Sequence, residues 1–239
     1  MNNPYLFLWL EAPLQAWGHD SKFGRRDTLD FPTKSGVLGL LCCARGAAGE
    51  ESAWLAEWAE LDMQVTGYVP KNSNGHPRPR QPPLRDFHMV GNGYDDGDPW
   101  QNLMIPKTSE GKKAVGGGAK LTHRHYVQDM AYAVALQAPT NLVRETIQAL
   151  LAPTWDIYLG RKSCAPVEFI FQGLFDSDEQ VLRASQAMAE EKNRAMSLRV
   201  LQGEHEGEVV ILNDVPIQFG PTKRYRERCV TILKNEEAS

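Results

Sequence analysis

The chain is poor in several of the features that most readily announce a function. Its 239 residues contain four cysteines, Cys42, Cys43, Cys164 and Cys229, and none of them forms a CxxC pair. That spacing argues against a zinc site, and so few cysteines in a chain this long argue against a disulfide scaffold; buried, reduced thiols are the expectation. No apolar run reaches the 18 or more residues that a membrane span requires. The opening MNNPYLFLWLEAPLQAWG has only a short apolar stretch and no basic leader, so it reads as a first strand rather than a signal peptide. Lys34-Ser35 is a Lys-Ser pair, but the earlier glycine of GxxxxGK[ST] is missing, so it does not read as a nucleotide-triphosphate loop. Strong net charge is absent as well. At −4, with a pI near 5.9, the whole chain is not a general nucleic-acid binder.

What is present is an uneven charge distribution. Residues 71–88 hold four cations against Asp86, residues 107–126 five against Glu110, and residues 222–228 four against Glu227. Acidic residues gather at 50–62, 176–191 and 204–208. One basic side on an acidic protein is compatible with this pattern, as are separate solvated clusters. Glu204-His205-Glu206 reads as a solvated acidic loop rather than a metal site.

Hydrophobic periodicity orders the chain. Tyr5 to Leu10 is a strand covered on both faces. A helix over 34–47 follows, with Thr33 as its N-cap and Val37, Leu38, Leu41 and Cys42 as its buried stripe. Gly36 and Gly39 each weaken that helix by about 1 kcal/mol, which implies either close approach of another group or tight packing on the sheet. A short helix over 51–61 turns Trp54, Leu55 and Trp58 inward. Strands are expected at 63–69 and 84–90, with a Pro-rich loop between them. Residues 91–120 are too polar and Gly-rich to form a core and read as an arm with a flexible tip. A long strand at 121–138, a helix at 141–151 capped by Thr140, and a strand at 167–175 complete a β-α-(α)-β-β-arm-β-α-β order. The rest comprises a polar helix at 178–192 and short strands near 208–212 and 229–233. The fold class expected is α+β: an RRM-like ferredoxin fold over residues 1–175 with an extended β-hairpin arm at about 91–125, and a smaller β-rich subdomain over 176–239.

Four motifs occur in order: LQAWG, FPTKSGVLGLL, LRDFH before the arm, and YLGRKSCAP after the second helix. Together they resemble the CasD-type subunits of the type I-E CRISPR Cascade, members of the RAMP superfamily. The resemblance implies a cytoplasmic, non-enzymatic subunit without cofactor or metal. It would grip the 5′ handle of the crRNA, cap one end of the backbone, contact the large subunit, and meet target DNA only indirectly; no membrane is involved. The arm would act as a thumb against the neighbouring backbone subunit. A related branch, in type I-C systems, implies the alternative of a metal-independent endoribonuclease.

Single-stranded RNA needs phosphate contacts for position and stacking or base-edge contacts for identity. Lys34, Ser35 and Gly36 at a helix N-terminus suit an anion, unless Lys34 is simply solvated. Arg161, Lys162 and Ser163, in a turn opened by Gly160, suit a second phosphate, unless they are ordinary surface charges. Arg25 and Arg26 lie on the loop above the first helix. Trp17 either stacks on a base or fills the core. Alternation puts His123 and His125 on one strand face and Arg124 and Tyr126 on the other, the latter two making a phosphate-plus-stacking pair. Arg85 and His88, on the strand before the arm, join the set. Three histidines together would raise the nuclease alternative, since cleavage through the 2′-OH needs a general base and a general acid.

Overall fold

The computed structural model describes residues 3–19, 21, 24–90, 97–105, 107–112 and 120–235. In chain order these form β1 (Tyr5–Glu11), β2 (Leu14–Gln15), β3 (Arg25–Arg26), α1 (Lys34–Arg45), α2 (Ser52–Ala59), β4 (Met63–Pro70), β5 (Leu84–Val90), α3 (Pro99–Met104), β6 (Lys120–Gln128), β7 (Ala131–Gln137), α4 (Val143–Leu151), β8 (Phe171–Phe175), α5 (Asp178–Glu191), β9 (Arg194–Gln202), β10 (Glu208–Gln218) and β11 (Arg224–Lys234). The flexible arm tip expected within 91–120 lies largely outside the described residues; α3, whose first turn is capped by Asp98 through the Trp100 N–H, falls in that segment.

The main sheet has the order β10-β11-β9-β4-β7-β1-β8, and every neighbouring pair in it is antiparallel. Alternation along β1 sends Leu6, Leu8 and Leu10 into one cluster with Leu38, Leu41, Leu55 and Trp58 of the first two helices. Phe7 and Trp9 point the other way, into a second cluster with Tyr68, Ala133 and Val181 of α5. The near-continuous apolar reading of β1 is thus explained by helices on both faces.

Two expected elements differ. The single strand at 121–138 is two strands, broken at Asp129, whose φ of 50° is a left-handed turn that Asp tolerates better than most residues. The break lets β6 leave the main sheet and pair with β5 as a ribbon, while β7 stays central. The helix at 141–151 starts at Val143, with Leu142 at the cap position and no side-chain capping bond; the Thr140 hydroxyl donates to Asn3 Oδ1 at 2.9 Å.

Residues 176–239, expected as a smaller β-rich unit, contribute three strands of 9 to 11 residues. These continue the main sheet through β9–β4 pairing, where Val200 lies opposite Val65. Both valines are buried, so the hydrophobic core runs across residue 175 without interruption.

Candidate functional site

The N-terminus of α1 is closed by the chain itself. The Thr33 hydroxyl accepts the Gly36 N–H at 3.1 Å, and the Thr33 carbonyl accepts the Val37 N–H at 3.0 Å. The Lys34 N–H donates to Asp214 Oδ2 at 2.7 Å, and Arg228 holds that carboxylate at 2.7 and 2.9 Å. Asp214 therefore stands where an external anion was expected.

The Lys34 side chain is fully buried and runs the other way. Its Nζ donates to the carbonyl oxygens of Ala59 at 3.0 Å and Leu61 at 2.5 Å. These are orphan acceptors at the carboxyl end of α2, where the helix dipole also favours a cation. Burial, with the Arg228 cation close by, pulls its pKa down to about 8, against the partial opposition of Asp214, Asp62 and Glu60. Lys34 is a structural cap on α2, not a phosphate contact, because no part of its ammonium reaches the surface.

Trp17 fills the core rather than stacking on a base. It is 1% exposed, and its Nε1 donates to Gln15 Oε1 at 3.1 Å, leaving no ring face for a base. A Cβ on Gly36 would sit 3.0 Å from that ring and 2.9 Å from the Thr33 hydroxyl, so packing explains this glycine. Ser35 is half-buried, with its hydroxyl 3.3 Å from Thr33 Oγ1. Gly39 differs from Gly36: the nearest group to a Cβ there would be Phe219 Cζ at 4.0 Å.

The other expected residues meet at the base of the ribbon. β3 pairs in parallel with β6, placing Arg25 beside His123 and Arg26 beside Arg124. Arg161 fastens this junction, donating to the carbonyls of His125 at 3.2 Å and Arg26 at 3.1 Å, with its guanidinium 4.5 Å above the centre of the Tyr126 ring. Arg161 and the buried Tyr126 are thereby engaged within the protein and are not the free phosphate and stacking groups expected. Arg26, Lys162 and Ser163 are exposed, and Arg124 is partly so. Arg25 is exposed but pairs with Asp27 at 2.9 Å.

The three histidines do not converge. In the β5–β6 register, Phe87 faces His123 and Arg85 faces His125, whereas His88 faces Thr122. Opposed residues share a sheet face, so His88 lies on the face away from His123 and His125. His123 Nδ1 is contacted by the exposed Arg85 at 3.2–3.3 Å, and His125 Nδ1 lies 3.2 Å from Asp27. Among the described residues, no three His, Cys, Asp or Glu side chains form a metal-binding group.

Along α1 runs a groove of about 520 Å³ that the sequence did not reveal. Its floor is the small-residue face of the helix: Ser35, Gly36, Gly39 and Cys43. One wall carries Trp155 and Gly160; the other is the β10–β11 turn with Phe219, Lys223 and Tyr225. Among the described residues, none that lines it is acidic. Backbone bonds hold both walls: Thr154 N–H to Ala44 O at 2.9 Å, and Phe219 N–H to Glu50 O at 2.9 Å. A second cavity of about 340 Å³ shares Gly18, Ser35 and Tyr225 with it and adds His19, Asn213 and Asp214. The basic run at 222–228 was visible in sequence, but nothing local indicated that Lys223 would fold back over the first helix.

The sheet face offers no comparable opening. Phe7, Trp9 and Tyr68 form an aromatic cluster there, and α5 covers it.

A family model described as CRISPR-associated protein (Cas_Cas5) matches residues 5–231. The CRISPR system Cascade subunit CasD of Escherichia coli (strain K12) is 31% identical over 172 residues, covering 71% of this chain and 70% of that protein. A chain of a solved CRISPR RNA-guided surveillance complex superposes with a TM-score of 0.67 at 27% identity, over 97% of this chain and 90% of that one. A crystal structure of a Cas protein, 23% identical, superposes with a TM-score of 0.56 over 98% and 97% of the two chains and shares the fold.

Proposed function

This chain belongs to the CRISPR-associated Cas5 family, and from that premise we propose that it is a structural subunit of a type I-E Cascade that binds the crRNA 5′ handle and caps one end of the complex. Its relatives are a Cascade subunit and a chain of an RNA-guided surveillance complex. Its partners on this reading are the crRNA, the backbone subunits and the large subunit, with target DNA met only indirectly, in the cytoplasm. Within the main sheet, the run β4-β7-β1-β8, threaded by the helices α1 and α4, supports the RRM-like ferredoxin reading of residues 1–175. The β5–β6 ribbon is the base of the thumb, and residues 176–239 widen the same sheet.

The observation that carries the RNA contact is the adjacency of two surfaces. Arg26, Arg124 and Lys162 gather at the ribbon base, next to the Gly160 turn that walls the groove over α1. Cations fix phosphates, and a groove beside them receives the unpaired bases. The covered sheet face leaves no room for the stacking platform of an ordinary RRM. The test is assembly of the complex on crRNA with Arg26→Glu and Lys162→Glu combined. Loss of assembly at physiological salt, relieved at low salt, is expected; unchanged assembly would end the RNA role of these residues.

The endoribonuclease reading rests on His123 and His125 sharing one face of β6. It is the weaker of the two, because His88 is on the opposite face and Asp27 and Arg85 occupy the neighbourhood of the imidazoles. Incubating the protein with repeat RNA in EDTA decides it: a specific cut would establish the nuclease.

A further inference from the structure

We propose that the groove over α1 is a stacking site for unpaired bases of the guide RNA, and that the C-terminal hairpin supplies its aromatic wall and its cation. The proposal rests on the RNA-binding reading above and gives β10 and β11 a task beyond completing the sheet and holding the start of α1 through Asp214.

The groove is concave, and its volume of about 520 Å³ falls within the roughly 300–1,000 Å³ of sites that hold small organic groups. Its floor is flat because Gly39 projects no side chain, and a Cβ there would meet nothing closer than Phe219 Cζ at 4.0 Å. A helix interior gives up about 1 kcal/mol of stability for such a glycine, and packing accounts for Gly36 but not for Gly39. Trp155 and Tyr225, on opposite walls, remain 46% and 36% exposed. Aromatic rings held rigidly at the rim of a cavity suit the π-face of any base, and stacking on them tolerates any sequence. Lys223 places a cation where the strand's phosphate would run. Asn213, in the adjoining cavity, offers donors and an acceptor to a base edge. A protein segment seated here would find an apolar lining, but no role for the lysine.

The experiment uses the full chain in the complex assembled on guide RNA from its own repeat, with one photoreactive base at a time in the repeat-derived 5′ segment. Crosslinked peptides are mapped, and retention of the RNA is compared for wild type, Gly39→Leu and Tyr225→Ala. Crosslinks at Trp155 or Tyr225, with retention weakened about tenfold in each variant while the unfolding midpoint does not fall, are the expected result. Crosslinks confined to residues 24–26, 85, 121–126 and 162, or a neighbouring protein crosslinked into the groove, overturn the inference and leave the RNA reading standing. A wild-type chain that never crosslinks to the RNA overturns both.

Discussion

Asp214 accepts the first backbone N–H of α1, from Lys34, at 2.7 Å, and in doing so ties the C-terminal hairpin to the helix that begins 180 residues earlier. The same lysine sends its ammonium to the carboxyl end of α2. One residue thus joins three elements, and a motif that resembles an anion site in sequence is an internal joint in the fold. This arrangement has consequences that denaturation can measure.

Lys34→Met leaves the carbonyls of Ala59 and Leu61 without their ammonium donor, so a loss of about 1–3 kcal/mol in urea unfolding is expected. Lys34→Glu places a carboxylate against those carbonyls and is expected to lose roughly 3–5 kcal/mol or fail to fold. Folded Lys34→Met should still hold RNA as wild type does; reduced RNA retention at unchanged stability would contradict the structural role.

The pH dependence follows from the direction of the shift. The Lys34 amine titrates near 8 when folded and near its ordinary value of 10.5 when unfolded. Below pH 8 both states are protonated, and the penalty of burying the charge is felt in full. Between 8 and 10.5 the unfolded state binds the extra proton, so this residue's contribution to stability rises with pH. Wild type should therefore gain on Lys34→Met as pH rises through that window, read as the difference of their urea midpoints. A flat difference would contradict the buried, destabilised ammonium.

The two glycines of α1 should part company. Gly36→Ala drives a Cβ against Trp17 and the Thr33 cap and is expected to destabilise by about 1–3 kcal/mol. Gly39→Ala meets nothing closer than Phe219 Cζ at 4.0 Å and gains helix propensity, so it is expected to stabilise the protein by about 0.5–1 kcal/mol. Thermal unfolding of the pair gives both signs.

Arg161→Lys keeps the charge but loses the fork that reaches two carbonyls and the stacking on Tyr126. A loss of about 1–2 kcal/mol is expected, with faster amide hydrogen exchange at residues 123–126 than elsewhere in the ribbon. Unchanged exchange would show that β3 does not depend on this clamp.

The sequence was most informative where periodicity is local. The Thr33 cap, the inward Trp54, Leu55 and Trp58, and the double-faced β1 follow from alternation and helical spacing. It was least informative where a side chain's partner is far along the chain. Lys34 in sequence has no visible anion, because Asp214 and the end of α2 reach it only in the fold. Likewise the split at Asp129 is a single left-handed residue within an otherwise continuous strand pattern, and His88 changes face by a register that alternation in one strand cannot fix. Of the candidate site, the exposed Arg26 and Lys162 and the partly exposed Arg124 were legible, as was the charge of the run that holds Lys223; its fold back over the first helix, and the place of Trp155 and Tyr225 in the groove walls, were not.

The central claim is that this chain holds the 5′ handle of a guide RNA. Ultraviolet crosslinking of the assembled complex, followed by sequencing of the RNA recovered on this chain, tests it directly. The account predicts crosslink sites concentrated in the repeat-derived 5′ segment. Sites spread along the spacer, or none on this chain, would contradict it.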